Sequence, residues 1–574
     1  MTRAAVLARV DRLPSAARGA AARALWAAVI AAAVAGLASH AAGLGFVALW
    51  CFVVVAAGAA LVLPLPHALV SPLYAGLLGW LVDMLPFVTL VGWGVVTLRW
   101  AAGLVAQRRL PRGGRWTWLP AALVVWTALG VLVITSLDFK HFLLLLGIQV
   151  LISAGILAVA DDAAGDRGRR AIAAGLAGFV VLLSAGVFLQ WVGVPVQELQ
   201  DTSVARRAEE AYGVDAFPNN IGMIKYARSI ESGAGELRRA LKGAAARTEG
   251  LPEFVVFRPK FQAFESRLIV RFDGSARAYS DELSRLDVRL IHDNVGLAPA
   301  RTVPRLRSFP RNALTYAGVS AAVLPFAFFV GWSQDRRRRW LGRAAVVACL
   351  FGACFSLARG AWIAILLGVV YVAVDGMLSA RRKVQVAAAY VAAAVVLTGV
   401  FLVKYGVDPV TGRAGGGASV TTRSSLYEDT VGSLRGIYLV LGYGTERPRT
   451  ESGTTKEQGE YGRYVPRAGT HSTYLNYLFR TGVPGALALA ALYVVAALHA
   501  RAASREWSGD ERTFATLATA AMVTVAAHAV ILSLYVEPTY TLVVTLVLGL
   551  ALTSAGRLRS SVLPWRTRPS AAGT

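Results

Sequence analysis

A histidine stands in the stretch Thr470-His471-Ser472-Thr473-Tyr474-Leu475-Asn476-Tyr477-Leu478-Phe479-Arg480-Thr481-Gly482-Val483-Pro484-Gly485. These polar and aromatic residues run through a Gly-x-Pro-Gly break into the apolar run from Ala486 to Ala500. An imidazole is thereby placed where a membrane helix leaves water. A neutral imidazole in that position accepts a proton from a hydroxyl near neutral pH, which few other side chains do. The plainer alternative is a polar cap at the interface.

Two arginines offer the complementary chemistry, a fixed positive charge for an anion. Arg359, in Ser356-Leu357-Ala358-Arg359-Gly360-Ala361-Trp362-Ile363, interrupts the apolar stretch 344–379. A guanidinium facing lipid is expensive, so Arg359 is expected to point into a cavity or pair with an anion, the alternative being a side chain that snorkels from a hairpin tip. Arg423 precedes Ser424 to Leu434, whose Thr-Ser start reads as a helix N-terminus, where anions are favoured. Taken alone it is equally a solvated loop arginine.

The residues after the histidine have helical spacing. His471, Leu475 and Leu478 fall on one face and Ser472, Asn476 and Arg480 on the adjacent one, as in a short helix lying at the interface. Gly482 is expected to break that helix, and Pro484 fits the first turn of the next, which should begin near Val483. His40, His67, His499 and His528 lie within or at the ends of apolar runs with no polar constellation around them and read as structural. The acidic residues of the loops lack Asp-x-Asp spacing, so neither a metal nor another cofactor is expected. Cys51, Cys349 and Cys354 fall in apolar runs and offer no disulfide staple.

The elements that must position these groups are membrane helices. The chain is 56% hydrophobic and 16% charged, with a mean hydropathy of +0.53, too apolar for a set of soluble domains. Runs long enough to span about 30 Å of hydrocarbon number about fourteen, seven within 22–193, four within 313–404 and three within 484–556. The basic start of the chain imitates a signal peptide, but the apolar run that follows is too long for one.

A net charge of +25 would suggest nucleic acid in a soluble protein. Here the arginines cluster at alternate connections, around Arg108 to Arg115, Arg167 to Arg170, Arg336 to Arg339, Arg381 to Lys383, and Arg501 to Arg505. The positive-inside rule makes these connections and both termini cytoplasmic, and no nucleic-acid partner is expected.

Two long connections then fall outside. The expected organisation is 1–193 with seven spans, 194–312 an extracytoplasmic insert, 313–404 with four spans, 405–482 an extracytoplasmic loop carrying the chemistry, and 483–574 with three spans and a tail. The insert mixes charged helical patterns with alternating runs such as Ser266 to Phe272, followed by the turn Asp273-Gly274, the pattern of a small α/β cap. The fold class is therefore an all-α polytopic membrane protein with two large outer loops.

Taken together, the stretch 356–363, the Arg423 segment ending in Gly442-Tyr443-Gly444, and His471-Ser472 followed by Gly482-x-x-Gly485 resemble the O-antigen ligase and polymerase family. The histidine motif, His-(Asn/Ser/Gln)-x9-Gly-x-x-Gly, is its most specific part, with Gly482 and Gly485 as the structural glycines. The family's Arg-x-x-x-Leu appears as Arg359 with Ile363, a mild departure. The resemblance covers roughly 313–502.

The resemblance implies about twelve spans, a site outside the cytoplasmic membrane, and transfer of a glycan from undecaprenyl diphosphate to an acceptor hydroxyl. Under it, Arg359 and Arg423 would grip the diphosphate while His471 deprotonates the acceptor, and a single displacement would invert the anomeric carbon. Arg480, Tyr474, Asn476, Ser472 and Arg311 are the candidates for substrate contact. The partners expected are a polyprenyl-diphosphate-linked glycan as donor, a glycan, glycolipid or other hydroxyl as acceptor, and the lipid bilayer. A polymerase using a second lipid-linked glycan as acceptor shares this donor chemistry. A transporter or flippase is the alternative from another class, for which paired broken helices and mid-membrane ionisable residues would be the sign.

Overall fold

The computed structural model describes, with short gaps, residues 15–192, four strands between 215 and 290, and residues 313–405, 427–443, 472–530 and 538–553. Among the described residues fourteen helices have fifteen residues or more. In the N-terminal part they are α1 (Ser15–Ala41), α2 (Gly45–Val62), α3 (Leu65–Leu81), α4 (Leu85–Ala106), α5 (Trp118–Ile134), α6 (Phe139–Asp162) and α7 (Asp166–Trp191). After the insert come α8 (Ala313–Gly331), α9 (Arg336–Phe355), α10 (Arg359–Val374) and α11 (Ala380–Tyr405). A short α12 (Ile437–Leu441) precedes α13 (Thr473–Glu506), α14 (Gly509–Ala529) and α15 (Pro538–Leu552). Six of these helices are long and apolar enough to cross a membrane, and five more are apolar but shorter. The protein is a multi-pass, helical membrane protein.

Each expected span overlaps an observed helix, and several helices begin earlier than the apolar run where arginines precede it. The apolar pattern begins at 344, yet α9 starts eight residues earlier at Arg336. Asp335 caps it, its Oδ1 accepting the Arg337 N–H at 2.8 Å. The arginines following that cap are good helix formers, and water beyond the apolar run solvates them.

α8 is the centre of the bundle, buried from Thr315 to Gly331 and packed by α7, α9, α14 and α15. Its small residues, including Ala317, Gly318, Ser320, Ala321 and Ala322, let the neighbouring backbones approach closely, as helices in lipid require in the absence of a hydrophobic drive between them. Where α8 carries a large polar side chain it is paired, the Tyr316 hydroxyl lying 2.6 Å from Ser184 Oγ on α7.

The two ends of the bundle differ chemically. At one end the arginine clusters meet acids on other helices. Arg109 forks onto both oxygens of Asp161 at 2.8 Å, and Trp100 Nε1 donates to the same carboxylate at 3.1 Å. Arg169, 1% exposed, reaches Glu511 at 2.6 Å and lies over the Trp507 ring, tying α7 to the start of α14. Pairs so placed are costly to break one partner at a time, and they fix which helix ends lie together.

Strands β1 (Asp215–Ala216), β2 (Phe254–Pro259), β3 (Leu268–Arg271) and β4 (Val288–Leu290) lie in the insert and form an antiparallel sheet of order β1-β3-β2-β4. The register pairs Phe254 with Arg271 and Phe257 with Leu290. The alternating run read at Ser266 to Phe272 supplies β3. The helical patterns read in the same insert, Ser203 to Tyr212 and Glu236 to Arg247, lie outside the described residues.

Candidate active site

The helix after the histidine starts on Ser472. Its side chain is 2% exposed and accepts the Leu475 N–H, the geometry of an N-cap, so the residue after His471 is fixed by helix initiation. His471 itself lies outside the described residues and directly precedes that cap. Further along, Asn476 Oδ1 accepts from Arg480 Nε at 2.8 Å, which places the two on one helix face as their spacing predicts.

The break falls at Gly482, whose φ of 68° and ψ of −174° interrupt α13. A glycine is required here because a Cβ would lie 2.1 Å from the carbonyl oxygen of Val440, and a positive φ strains other residues. The residue pressed against it belongs to α12, on the far side of the long loop. Gly442, φ 75°, faces the break in turn, and a Cβ there would meet the Arg480 carbonyl carbon at 2.4 Å.

Breaking a helix orphans carbonyls, and each one buried needs a new donor. Phe479 would pair with Val483 in a continuous helix; instead its carbonyl accepts the Tyr443 N–H at 2.7 Å. The Thr481 carbonyl accepts Trp126 Nε1 of α5 at 2.8 Å, and the Thr481 hydroxyl donates to the Tyr477 carbonyl at 2.6 Å. Pro484 removes one of the N–H groups that a straight helix would have used. The rings of Tyr438, Tyr443 and Phe479 stack beside the break with centroids 4.2 and 4.7 Å apart. The Tyr477 hydroxyl donates to Gln149 on α6 at 2.9 Å, a further tie to the N-terminal half.

Two segments that carry or follow predicted site residues converge on the end of α14. The Tyr474 hydroxyl donates to the Ala526 carbonyl and the Tyr427 hydroxyl to the Val530 carbonyl, both at 3.2 Å. Tyr427 stands four residues after Arg423, and residues 427–428 and 430–432 are helical. α10 packs along the same helix. Gly368 packs on Thr524, and Lys383 Nζ reaches Ala373 near the end of α10 while the adjacent Arg382 bonds Thr513 near the start of α14. The two helices are therefore antiparallel, and α10 begins on the side of the bundle where α14 ends. Arg359 is the first residue of α10, whose first turn holds no acid and whose N-cap, Ala358, offers no side-chain bond. Such a terminus carries partial positive charge and unpaired N–H groups, which favour an anion.

Of the predicted site residues, the structure brings Tyr474, Asn476, Arg480 and Ser472 onto one helix beside Gly482 and Gly485, with the start of α10 on the same end of the bundle. Arg423, Arg311 and His471 lie outside the described residues. Tyr474 is half-buried with its hydroxyl engaged on α14, and Ser472 is engaged as the cap. Gly485 is explained by packing, since a Cβ would stand 2.0 Å from Thr481 Oγ1. His528, read as structural, is buried with Nδ1 3.0 Å from the Tyr540 hydroxyl. Sequence reasoning missed Trp126, Gln149 and the stack on Tyr443. Only Tyr443 had a signal, its place between two glycines.

Residues 344–490 match the family model described as O-antigen ligase. The matched stretch runs from the middle of α9 to just past the break in α13 and includes Arg359, Arg423 and the whole histidine motif. The resemblance to the O-antigen ligase and polymerase family therefore holds for that part of the chain. No curated protein matches the chain.

Proposed function

We propose that this protein transfers a glycan from a polyprenyl diphosphate to an acceptor hydroxyl at the outer face of the cytoplasmic membrane, as a metal-independent, inverting glycosyltransferase of the O-antigen ligase type. The arginine-paired end of the bundle then faces the cytoplasm with both termini, and the end bearing the α13 break faces out. The domain limits 194–312 and 405–482 are proposed as the two extracytoplasmic segments.

In this reading Arg359 and Arg423 grip the diphosphate oxygens, each guanidinium offering two parallel N–H groups. His471 takes the acceptor's proton as the acceptor oxygen attacks the anomeric carbon from the face opposite the diphosphate. The new C–O bond forms as the bond to the diphosphate breaks, and that oxygen keeps the electron pair, stabilised by the two guanidiniums. The polyprenyl diphosphate leaves and the configuration inverts. Arg480 and Asn476, joined to each other, present polar groups to the glycan. Arg311 adds charge at the entry to α8, while Ser472 and Tyr474 hold the histidine-bearing helix start in place.

The observation that carries the reading is the meeting, at the end of α14, of the segment following Arg423 and the helix that His471 precedes, with α10 packed antiparallel along α14 so that its first residue, Arg359, is on the same end of the bundle. A group gripped by the two arginines would lie beside the helix that His471 precedes. Short α12 adds to it, leaving Ile437, Leu439 and Val440 exposed beside the break, an apolar surface suited to a lipid-borne substrate. The test is reconstitution in vesicles with a polyprenyl-diphosphate-linked glycan and hydroxyl acceptors, following sugar off the lipid and the anomeric configuration of the product. Lipid-linked acceptors in the same assay separate polymerase from ligase.

A further inference from the structure

At the end of the bundle opposite the α13 break, a shallow surface cleft lies between α7, α8, α9, α11 and α14. Three guanidiniums line it, those of Arg170, Arg338 and Arg382, against one carboxylate, Asp510. That carboxylate is already bonded to Arg170 at 3.3 Å, and Arg338 approaches Asp335 only to 3.8 Å. Arg382 has no carboxylate partner among the described residues. It bonds the Thr513 hydroxyl and lies 5.1 Å over the ring of Trp332, which fixes the guanidinium in the cleft without neutralising it.

The remaining wall is apolar, made by Phe329 and Val330 at the end of α8, with Trp332 at the rim and its Nε1 bonded to Gln385. α11, which closes one side, has few buried residues along its apolar length and lies at the edge of the bundle, which leaves this side of the cleft next to lipid. A tryptophan at a helix end marks headgroup depth. A fixed, uncompensated cation at that depth beside an apolar wall matches an anion that carries hydrocarbon.

We propose that this cleft binds the phosphate of an anionic phospholipid, with Arg382 and Arg338 on its oxygens and an acyl chain along Phe329 and Val330. The site is independent of the transfer reaction, and it ties α11, which otherwise touches the bundle little, to the helices bearing Arg170 and Asp510.

The test is native mass spectrometry of the full-length protein released from vesicles of phosphatidylglycerol mixed with phosphatidylcholine, scoring retained lipid. Wild type should retain phosphatidylglycerol over phosphatidylcholine. R382Q should weaken that retention about fivefold, as expected for one basic side chain at a charged headgroup, and R338Q should add to it. R108Q, an exposed arginine at the same end, should change nothing. R382K keeps the charge but not the planar stack on Trp332, and retention between wild type and R382Q is expected; it also serves if R382Q proves unfolded by size exclusion. Equal retention of both lipids by wild type, or unchanged retention in every folded Arg382 variant, would overturn the proposal. Complete displacement of the lipid by millimolar inorganic phosphate would overturn it too, by showing a site for the free anion.

Discussion

The backbone N–H of Tyr443 donates to the carbonyl of Phe479 across 2.7 Å, closing the long loop onto the helix that His471 precedes. Beside that bond Gly442 and Gly482 bring the two backbones too close for a Cβ on either. The loop and the break in α13 are thus one unit, and a change on either side should be felt at the histidine.

Gly482→Ala is expected to be severe. The new methyl meets the Val440 carbonyl and sits at a positive φ, a strain of about 1–3 kcal/mol before any clash is relieved. A lowered thermal midpoint in detergent together with lost glycan transfer is the expected outcome; wild-type values of both would mean the break tolerates a side chain.

Trp126→Phe keeps the ring but removes the donor to the Thr481 carbonyl. A buried carbonyl left unpaired costs about 1–3 kcal/mol. Thermal unfolding of the purified variant checks this, and an unchanged midpoint would show that water replaces the indole.

How much of this was legible in the sequence depends on the range of the interaction. Apolar runs punctuated by arginines gave the helices, since crossing lipid is a local demand on consecutive residues, and Gly482 with Pro484 marked the break by local backbone rules. The partners of the break were invisible. Trp126 and Thr481 are 355 residues apart, and Tyr443 and Phe479 belong to different elements, so no periodicity announces either contact. Within the candidate site the sequence named the chemical groups. It did not show that Ser472 is a cap, or that Tyr474 and Tyr427 meet on α14.

Arg359→Lys and Arg423→Lys should each lose most activity, at least tenfold, although the charge is kept. An ammonium cannot reproduce the planar fork on a diphosphate. Steady-state transfer assays on both variants are the check, and full activity in both would assign the arginines to packing or topology.

Cysteines introduced at Ser232 and Ser452, in a background lacking Cys51, Cys349 and Cys354, should react with an impermeant thiol reagent in outer-permeabilised cells. The arginine alternation that places both loops outside motivates this. Reaction only after lysis of the inner membrane would reverse the orientation.

The proposed base is tested most directly by measuring donor binding and single-turnover sugar transfer side by side in His471→Ala. The account predicts transfer slowed by roughly 10²–10⁴ with donor binding nearly intact, since the arginines hold the diphosphate. It also predicts that wild-type transfer falls as pH drops through about 6–7, where an imidazole gains the proton that stops it acting as a base. Transfer by His471→Ala at near wild-type rate would contradict the assignment of His471 as the base.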